Sequence, residues 1–135
     1  MMGFNDSCNT KSCAHLIQEN HQGICPHDWR LLTYDDFYIV VHADENVYPL
    51  VEGVRAQALG GHNYSGYSLI GAGTLWNHNF KSLDQYTYWF YPEESKNYAE
   101  EGAIAGSQGK SSTGNSHSDQ YKTYGFSVRC VKINK

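Results

Sequence analysis

The sequence lacks a basic stripe and a long apolar run, and these two absences narrow the range of its functions. Of its 135 residues, 10 are Lys or Arg and 14 are Asp or Glu, which gives a formal net charge of −4. The lysines are scattered, so no stretch is suited to following a phosphate backbone, and nucleic acid is not an expected partner. The longest apolar run, residues 37–41, is far shorter than the roughly 18 residues of a membrane helix, so no membrane span is expected.

Closely spaced metal ligands are also missing. The seven histidines form no His-x-x-x-His pair, and the four cysteines form no Cys-x-x-Cys pair. Structural zinc sites usually show such spacings, so the sequence predicts no metal ligands and no cofactor. Two alternatives stay open. His62 and His78 could meet in a loop region, and a structural calcium ion could be held by Asp or Asn side chains.

The start of the chain shows no signal peptide. Residues 1–6 have neither the basic nor the apolar region of a secretory leader, which indicates a trimmed start. The cysteines are therefore the better guide to the compartment, and four of them in a small Tyr- and Asn-rich chain indicate two disulfides and a secreted or cell-surface protein. Of the possible pairings we favour Cys25 with Cys130 and Cys8 with Cys13. A zinc site is the rival interpretation.

Glycine and tyrosine are abundant instead. The chain has 13 glycines and 11 tyrosines, a composition that favours short strands and loops over a helical bundle. A chain of 135 residues fits one ordinary domain. We expect a disulfide-pinned N-terminal arm over residues 1–21 and a single domain over residues 22–135.

A first helix is predicted after a short strand at residues 29–32. Thr33 can cap this helix together with the acidic residue three positions later, Asp36. Phe37, Val40 and Val41 follow at the spacing of one apolar helix face.

A second short helix is predicted to begin at Pro49. Leu50, Val54 and Leu59 would share its apolar face, and the glycine pair at residues 60–61 would end it in a left-handed conformation.

The second half of the chain reads as short strands joined by loops. Aromatic and β-branched residues at 64–69, 74–76 and 86–91 are separated by glycines. The polar, low-complexity stretch 106–120 predicts a long exposed hairpin loop, and residues 124–133 predict the final strand.

Four motifs together resemble one known family. They are Gly-Ile-Cys-Pro-His-Asp-Trp-Arg-Leu at residues 23–31, Gly-Tyr-Ser-Leu at 66–69, Tyr-Thr-Tyr-Trp at 86–89 and Tyr-Gly-Phe-Ser-Val-Arg-Cys-Val-Lys at 124–132. In this order they resemble the Fibrobacter succinogenes major paralogous domain family over residues 22–133. The resemblance implies an α+β, C-type lectin-like fold: a twisted antiparallel sheet flanked by two helices, with the N- and C-terminal strands side by side. It also implies a secreted or surface protein of bacteria whose loops carry any binding surface.

Relatives of this fold suggest two chemistries that the sequence does not favour. Calcium-dependent lectins use Glu-Pro-Asn or Gln-Pro-Asp with Trp-Asn-Asp, whereas this chain has only Trp-Asn-His at residues 76–78. Formylglycine-generating enzymes use a reactive cysteine pair, but the four cysteines here have a structural explanation. A hydrolase built from Ser116, His117 and Asp119 would place its groups in one polar loop rather than on a rigid scaffold.

Aromatic residues are the best candidates for ligand contact. Tyr and Trp rings can stack on sugars or anchor a protein interface, although alternate residues of a strand must face the core. We therefore expect a binding module without catalytic activity that recognises a glycan or a protein through residues 74–97 and 106–120. The alternatives are a structural or adhesive domain of a larger surface protein with no small ligand and, more remotely, an enzyme of the formylglycine-generating type. The predicted contacts are Tyr86, Tyr88, Trp89, Tyr91 and Asn77.

Overall fold

The computed structural model describes residues 1–46 and 50–134. Within these ranges the chain forms an α+β fold with one α-helix, α1 (Tyr34–Val41), and three short 3-10 helices, Asp6–Asn9, Ala14–Leu16 and Gln57–Leu59. No helix in this described part is long and apolar enough to cross a membrane. The strands are β1 (Trp29–Leu31), β2 (Ala72–Trp76), β3 (Asn79–Leu83), β4 (Tyr86–Glu94), β5 (Gly102–Gly109), β6 (Ser118–Tyr121) and β7 (Cys130–Lys132).

A small sheet and a disulfide bond join the two ends of the domain. Strands β1 and β7 pair antiparallel, with Leu31 opposite Cys130. Cys25 and Cys130 form a disulfide across 105 residues, and Cys8 and Cys13 form the second one. The predicted cysteine pairing and the predicted side-by-side position of the terminal strands are confirmed.

The helix α1 begins where the sequence predicts. Thr33 Oγ1 accepts a hydrogen bond from the Asp36 amide at 3.2 Å, and Asp36 Oδ2 accepts one from the Thr33 amide at 2.8 Å. This capping box satisfies two amides at the start of the helix. Arg30 Nη2 donates to Asp36 Oδ1 at 2.8 Å, which ties the helix to β1. Phe37 and Val41 are buried, as the predicted apolar face requires.

The prediction of a second α-helix is wrong for the residues that the structure describes. Pro49, its predicted first residue, lies outside them. Residues 50–54 form turns, and helical structure is limited to the 3-10 helix Gln57–Leu59. Gly60 ends that short helix in the left-handed conformation, with φ of 68°.

Backbone pairing with a distant segment explains why this helix does not form. Leu69 N donates to Val54 O, and Ala56 N donates to Leu69 O, both at 2.9 Å. These groups are therefore not available to a helical ladder. Val54 and Leu59 are still buried, but Leu50 is 39% exposed, so the predicted common face is only partly used.

The larger sheet is mixed and curled, not purely antiparallel as expected. Its strand order is β3-β2-β4-β5-β6, and only β2 and β4 run parallel, through a single residue pair. Beyond that pair the last part of the chain joins both strands, because Leu75 bridges to Gly125 and Trp89 bridges to Ser127. This arrangement curls the sheet. It also shortens the predicted final strand to Cys130–Lys132.

Strand β5 occupies part of the predicted loop 106–120. Residues up to Gly109 pair with β4, and only residues 110–117 connect β5 to β6. The glycines that suggested a loop are required by packing. A Cβ on Gly106 would lie 2.6 Å from the Trp89 ring, and one on Gly109 would lie 2.5 Å from the Tyr86 ring.

Two further strand predictions need correction. Residues 64–69 form turns, and only Leu69 makes a bridge, to Arg55. Positive φ angles at Gly66 (71°) and Ser68 (55°) interrupt the extended backbone there. Strand β3 was not predicted, because its residues are almost all exposed and show no alternation of apolar and polar side chains.

The apolar core lies where α1 packs against β4 and β5. The Phe37 and Trp89 rings are 4.9 Å apart between centroids and join the helix to the sheet. The buried members of this core are Leu32, Phe37, Val41, Val51, Val54, Leu69, Trp89, Tyr91 and Ile104.

Glu94 and Lys122 fix the N-terminal arm to the sheet. Lys122 Nζ lies 2.7 Å from Glu94 Oε1, and both side chains are only 9% exposed. Glu94 also accepts hydrogen bonds from the Ser12 hydroxyl at 2.7 Å and the Cys13 amide at 2.8 Å. The carboxylate therefore bridges the loop closed by the Cys8–Cys13 disulfide and the strand β4.

Lys122 makes further contacts with backbone oxygens of the arm and of the turn between β4 and β5. Four carbonyl oxygens lie 3.0–3.2 Å from its Nζ atom. They belong to Cys8, Lys11, Ala99 and Glu100.

Candidate binding surface

The predicted ligand residues of β4 lie on two opposite sides of the strand. Trp89 and Tyr91 are 2% and 1% exposed, and Tyr91 packs edge-on against Tyr34 at 5.7 Å. Burial raises the pKa of Tyr91 far above its ordinary value, so its phenol stays protonated. These two predicted residues are part of the core, and neither lines the open groove described below.

Tyr86 and Tyr88 lie on the other side of β4 and belong to a stack of rings. Tyr86 is 40% exposed, and its ring centroid is 6.4 Å from that of Tyr88. Phe126 stacks on both Tyr88 and Phe90, at 5.0 and 4.6 Å. Burial, followed by the neighbouring Tyr86, raises the pKa of Tyr88. Both effects favour the neutral phenol of Tyr88, which can donate a hydrogen bond.

This stack continues into a solvent-open groove at one edge of the sheet, which we name the aromatic groove. It has a volume of about 310 Å³, near the lower end of the usual range for ligand sites, about 300 Å³. Its lining residues are Trp76, Tyr98, Gly102, Asp119, Gln120, Tyr121 and Tyr124.

Two strands and two connecting segments bring the rings of the groove together. Trp76 ends β2 and Tyr121 ends β6, while Tyr98 lies in the turn between β4 and β5. Tyr124 occupies the centre, because Gly125 next to it exchanges two backbone hydrogen bonds with Leu75, of 2.8 and 2.9 Å. The curl of the sheet thus creates the groove.

The rings in the groove stand nearly at right angles. Trp76 and Tyr124 are 5.3 Å apart with an interplanar angle of 84°, and Tyr121 and Tyr124 are 5.4 Å apart with the same angle. Edge-to-face contacts of this kind are favourable and hold the rings in place. Trp76, Tyr98 and Tyr121 remain 36%, 63% and 53% exposed, so their apolar surfaces are available to a ligand.

Asp119 supplies a negative charge to this groove. Asn97 Nδ2 donates to Asp119 Oδ2 at 3.0 Å. Hydrogen bonds from the side chains of Ser95 and Asn97 lower the pKa of Asp119 below its ordinary value. The carboxylate is therefore ionised at neutral pH and can accept hydrogen bonds or contact a cation.

Asn77 lies beside the groove residue Trp76, in the turn between β2 and β3. It is exposed, and it adopts a positive φ of 47°, as does His78 with 62°. Asn79 Nδ2 donates to the Asn77 carbonyl at 3.0 Å, which stabilises the turn. The predicted role of Asn77 as a polar contact stays a prediction, as do those of Tyr86 and Tyr88.

An apolar patch on the β2–β3 hairpin forms a second exposed surface. Leu75, Phe80 and Leu83 are 43%, 60% and 57% exposed. Strand β3 is an edge of the sheet, so its outer backbone groups are also accessible.

A larger cavity lies between the N-terminal arm and the sheet. It has a volume of about 450 Å³ and is lined by Phe4, Phe90, Tyr91 and Phe126, among others. One wall is the arm itself, so the cavity depends on the docking of the arm at Glu94. The aromatic groove has no such requirement, because β2, β6 and the turn after β4 form its walls.

The residues considered for hydrolysis make other contacts. Ser116 Oγ accepts a hydrogen bond from the Ser107 amide and donates to the Ser107 carbonyl at 3.1 Å. His117 Nε2 lies 3.0 Å from Glu93 Oε2, and Asp119 is held by Asn97. Ser116 is thus engaged with its own hairpin and is not the partner of the His117 ring.

The histidines considered as metal ligands lie in different surroundings. His62 Nε2 is 3.6 Å from Glu52 Oε2, and its ring stacks on Tyr64 at 5.2 Å, whereas His78 lies in the β2–β3 turn. Across residues 1–46 and 50–134, no group of three or more His, Cys, Asp or Glu side chains is placed to hold a metal ion.

Sequence reasoning missed most of the groove. Tyr98, Tyr121 and Tyr124 lie outside the predicted binding ranges 74–97 and 106–120. Trp76, Asp119 and Gln120 lie inside those ranges but were not named as contacts. One signal was available: Tyr121 and Tyr124 concentrate aromatic side chains at the start of the terminal motif, directly after the polar stretch 106–120.

Comparison with known proteins adds no assignment. No family model, curated protein or solved structure matches the chain. The family resemblance of the four motifs therefore stays a prediction.

Proposed function

We propose that this protein is an extracytoplasmic binding module of the C-type lectin-like type that recognises a glycan in the aromatic groove and catalyses no reaction. The observation that carries the proposal is the meeting of exposed rings and an ionised carboxylate in one open groove. Trp76, Tyr98 and Tyr121 provide the rings, and Asp119 provides the carboxylate.

Sugar recognition needs both of these features. The C–H faces of a pyranose are apolar and stack on aromatic rings, while its hydroxyl groups need hydrogen-bond partners. Asp119 can accept from a hydroxyl, and the side-chain amide of Gln120 can donate and accept. The stack of Tyr86, Tyr88 and Phe126 beside the groove offers further apolar surface along which a longer chain can lie.

The disulfides and the closure of the domain support the location and the fold type. Two disulfides are typical of proteins from oxidising compartments. The motifs that carry the family resemblance contain Cys25 and Cys130, and these residues join β1 to β7 at the ends of the domain. Adjacent terminal strands are what the C-type lectin-like architecture requires.

Binding to a glycan panel, followed by titration calorimetry with groove variants, tests the proposal. We expect Trp76→Ala and Tyr121→Ala to weaken the binding of a selected oligosaccharide by about fivefold or more, because each removes a stacking surface. Phe80→Ala is the matched control, since Phe80 is 60% exposed, against 36% for Trp76 and 53% for Tyr121, but does not line the groove. Equal affinity of all three variants and the original chain would exclude the groove as the binding site.

A structural or adhesive role is the second candidate, and the apolar patch of Leu75, Phe80 and Leu83 favours it. Exposed apolar patches on an edge strand are suited to contact with another protein. Phe80→Asp should then reduce self-association or attachment to a protein-coated surface, measured by sedimentation and by surface binding. Unchanged association in that variant would leave the patch without a role.

A further inference from the structure

We propose that the aromatic groove receives a positively charged amino group, so that the glycan bound there is an amino-sugar chain rather than a neutral or acidic one. This inference rests on the proposed glycan-binding function. It follows from the geometry of the rings and from the distribution of charge around them.

The rings form a corner suited to a cation. Tyr124 stands at 84° to both Trp76 and Tyr121, with centroid distances of 5.3 and 5.4 Å. In the angle between two perpendicular rings a ligand contacts two ring faces at once. An ammonium group within about 6 Å of a Trp or Tyr centroid is attracted by the negative face of the ring.

Tyr98 adds a fourth aromatic side chain to the lining, from the turn between β4 and β5, and we call Trp76, Tyr98, Tyr121 and Tyr124 the cage. Tyr98 is 63% exposed and lines the same groove as Trp76 and Tyr121. Four aromatic residues around one small groove exceed what stacking of a single sugar face requires. Such a set is the arrangement by which proteins recognise ammonium groups.

Charge complementarity points in the same direction. Asp119 lines the groove, and no Lys or Arg is among the lining residues that the structure describes. The turn that carries Tyr98 has two exposed glutamates, Glu100 and Glu101, and one exposed lysine, Lys96, so its balance of charge is negative. A carboxylate or sulfate group on a ligand would meet these like charges, whereas an ammonium group would be attracted.

Lys122 does not cancel the negative charge of the groove. Lys122 follows the groove residue Tyr121, but its ammonium group lies 2.7 Å from Glu94 and is 9% exposed. Its charge is therefore neutralised away from the groove, and Asp119 remains the charged group of the lining.

Two sources can supply an ammonium group, and the experiment separates them. One is the primary amine of a glucosamine unit, and the other is a quaternary ammonium such as that of choline. Titration calorimetry of the intact, oxidised protein compares oligomers of glucosamine, N-acetylglucosamine, glucose and glucuronic acid, with choline and tetramethylammonium as probes of the cage alone.

We expect the glucosamine oligomer to bind about tenfold more tightly than its N-acetylated and neutral counterparts, and the acidic oligomer to bind most weakly. The advantage should shrink at high salt, since the attraction to Asp119 is screened. Equal binding of the charged and neutral oligomers would overturn the amino-group inference while leaving glycan binding intact. Binding of choline without any oligosaccharide would support the cage and refute the glycan function. Absence of binding by every probe would refute both.

Variants locate the effect within the groove. Asp119→Asn keeps the shape of the groove and should remove most of the preference for glucosamine over the neutral oligomer. Tyr121→Ala removes one ring of the groove and should bind the charged oligomer about fivefold more weakly. Phe80→Ala is again the control. An undiminished preference in Asp119→Asn would contradict the assignment of this carboxylate.

Discussion

The aromatic residues on the two sides of the large sheet have the same chemistry but opposite surroundings. On the core side, Trp89 is 2% exposed and packs between Phe37 and Gly106. On the groove side, Trp76 is 36% exposed and contacts the single ring of Tyr124. The buried aromatics of the core side stabilise the fold, whereas the exposed aromatics of the groove side offer surface to a ligand. Substitutions on the two sides should therefore affect different measurements.

The largest loss of stability is expected from removing the disulfide that joins the two ends of the domain. Replacing Cys25 and Cys130 by Ser releases a loop of 105 residues, which should lower the free energy of unfolding by about 4–5 kcal/mol in the chain-entropy model. Replacing Cys8 and Cys13, which are 5 residues apart, should lower it by only about 2 kcal/mol. Urea unfolding of both variants measures the difference, and equal losses would show that loop length does not control it.

Substitution of the two tryptophans tests the comparison directly. Trp89→Ala should lower the free energy of unfolding by about 3–5 kcal/mol, because it leaves a cavity beside Phe37. Trp76→Ala should lower it by only about 1 kcal/mol, the typical contribution of one edge-to-face aromatic contact. Thermal unfolding together with ligand titration measures both effects. A large loss of stability in Trp76→Ala would show that the groove is part of the structural core.

Acid should release the N-terminal arm before it unfolds the core. Burial alone raises the pKa of Glu94, but hydrogen bonds from Lys122, Ser12 and Cys13 outweigh it and hold the pKa below its ordinary value. A carboxyl with a lowered folded-state pKa stabilises the protein above its unfolded pKa, about 4.3, and this contribution is lost as the pH falls through the folded-state pKa.

We therefore expect the Cys13 amide, which donates to Glu94, to lose its protection against hydrogen exchange as the pH falls below the ordinary range of a glutamate carboxyl. In Glu94→Gln the protection should already be low at neutral pH, with little further change on acidification. Full protection of this amide in the variant would mean that Glu94 does not hold the arm.

The smallest of these effects is expected at the helix cap. Thr33→Ala removes the acceptor of the Asp36 amide and should lower the free energy of unfolding by about 1 kcal/mol. Thr33→Ser keeps the hydroxyl and serves as the control. Ligand binding should be the same in both variants, because α1 contributes no residue to the groove lining. A loss of binding in Thr33→Ala would show that the two sides are coupled.

The features that the sequence predicted correctly depend on local or covalent signals. The cap of α1 needs Thr33 and Asp36 only three positions apart, and the closure needs two cysteines at the ends of opposite strands. Such signals do not depend on how the rest of the chain is arranged. The second helix failed as a prediction because Val54 and Ala56 pair with Leu69, a contact that no local pattern encodes.

The groove could not be predicted for the same physical reason. Its rings come from β2, β6 and two connecting segments, and they meet because Leu75 pairs with Gly125. The alternation of side chains along β4 correctly implied that one set of its aromatics is buried. It did not say which set, since Tyr and Trp occur on both faces.

Lys122 makes the attachment of the arm independent of dissolved metal ions. Its ammonium group lies within 3.2 Å of five oxygen atoms, more than its three N–H bonds can satisfy at once, so it sits in a shell of the kind that surrounds a bound metal ion. A free ion in such a shell is lost on dilution or to a chelator. A cation that is part of the chain is not, so the arm should stay docked in a medium whose calcium or potassium content varies widely.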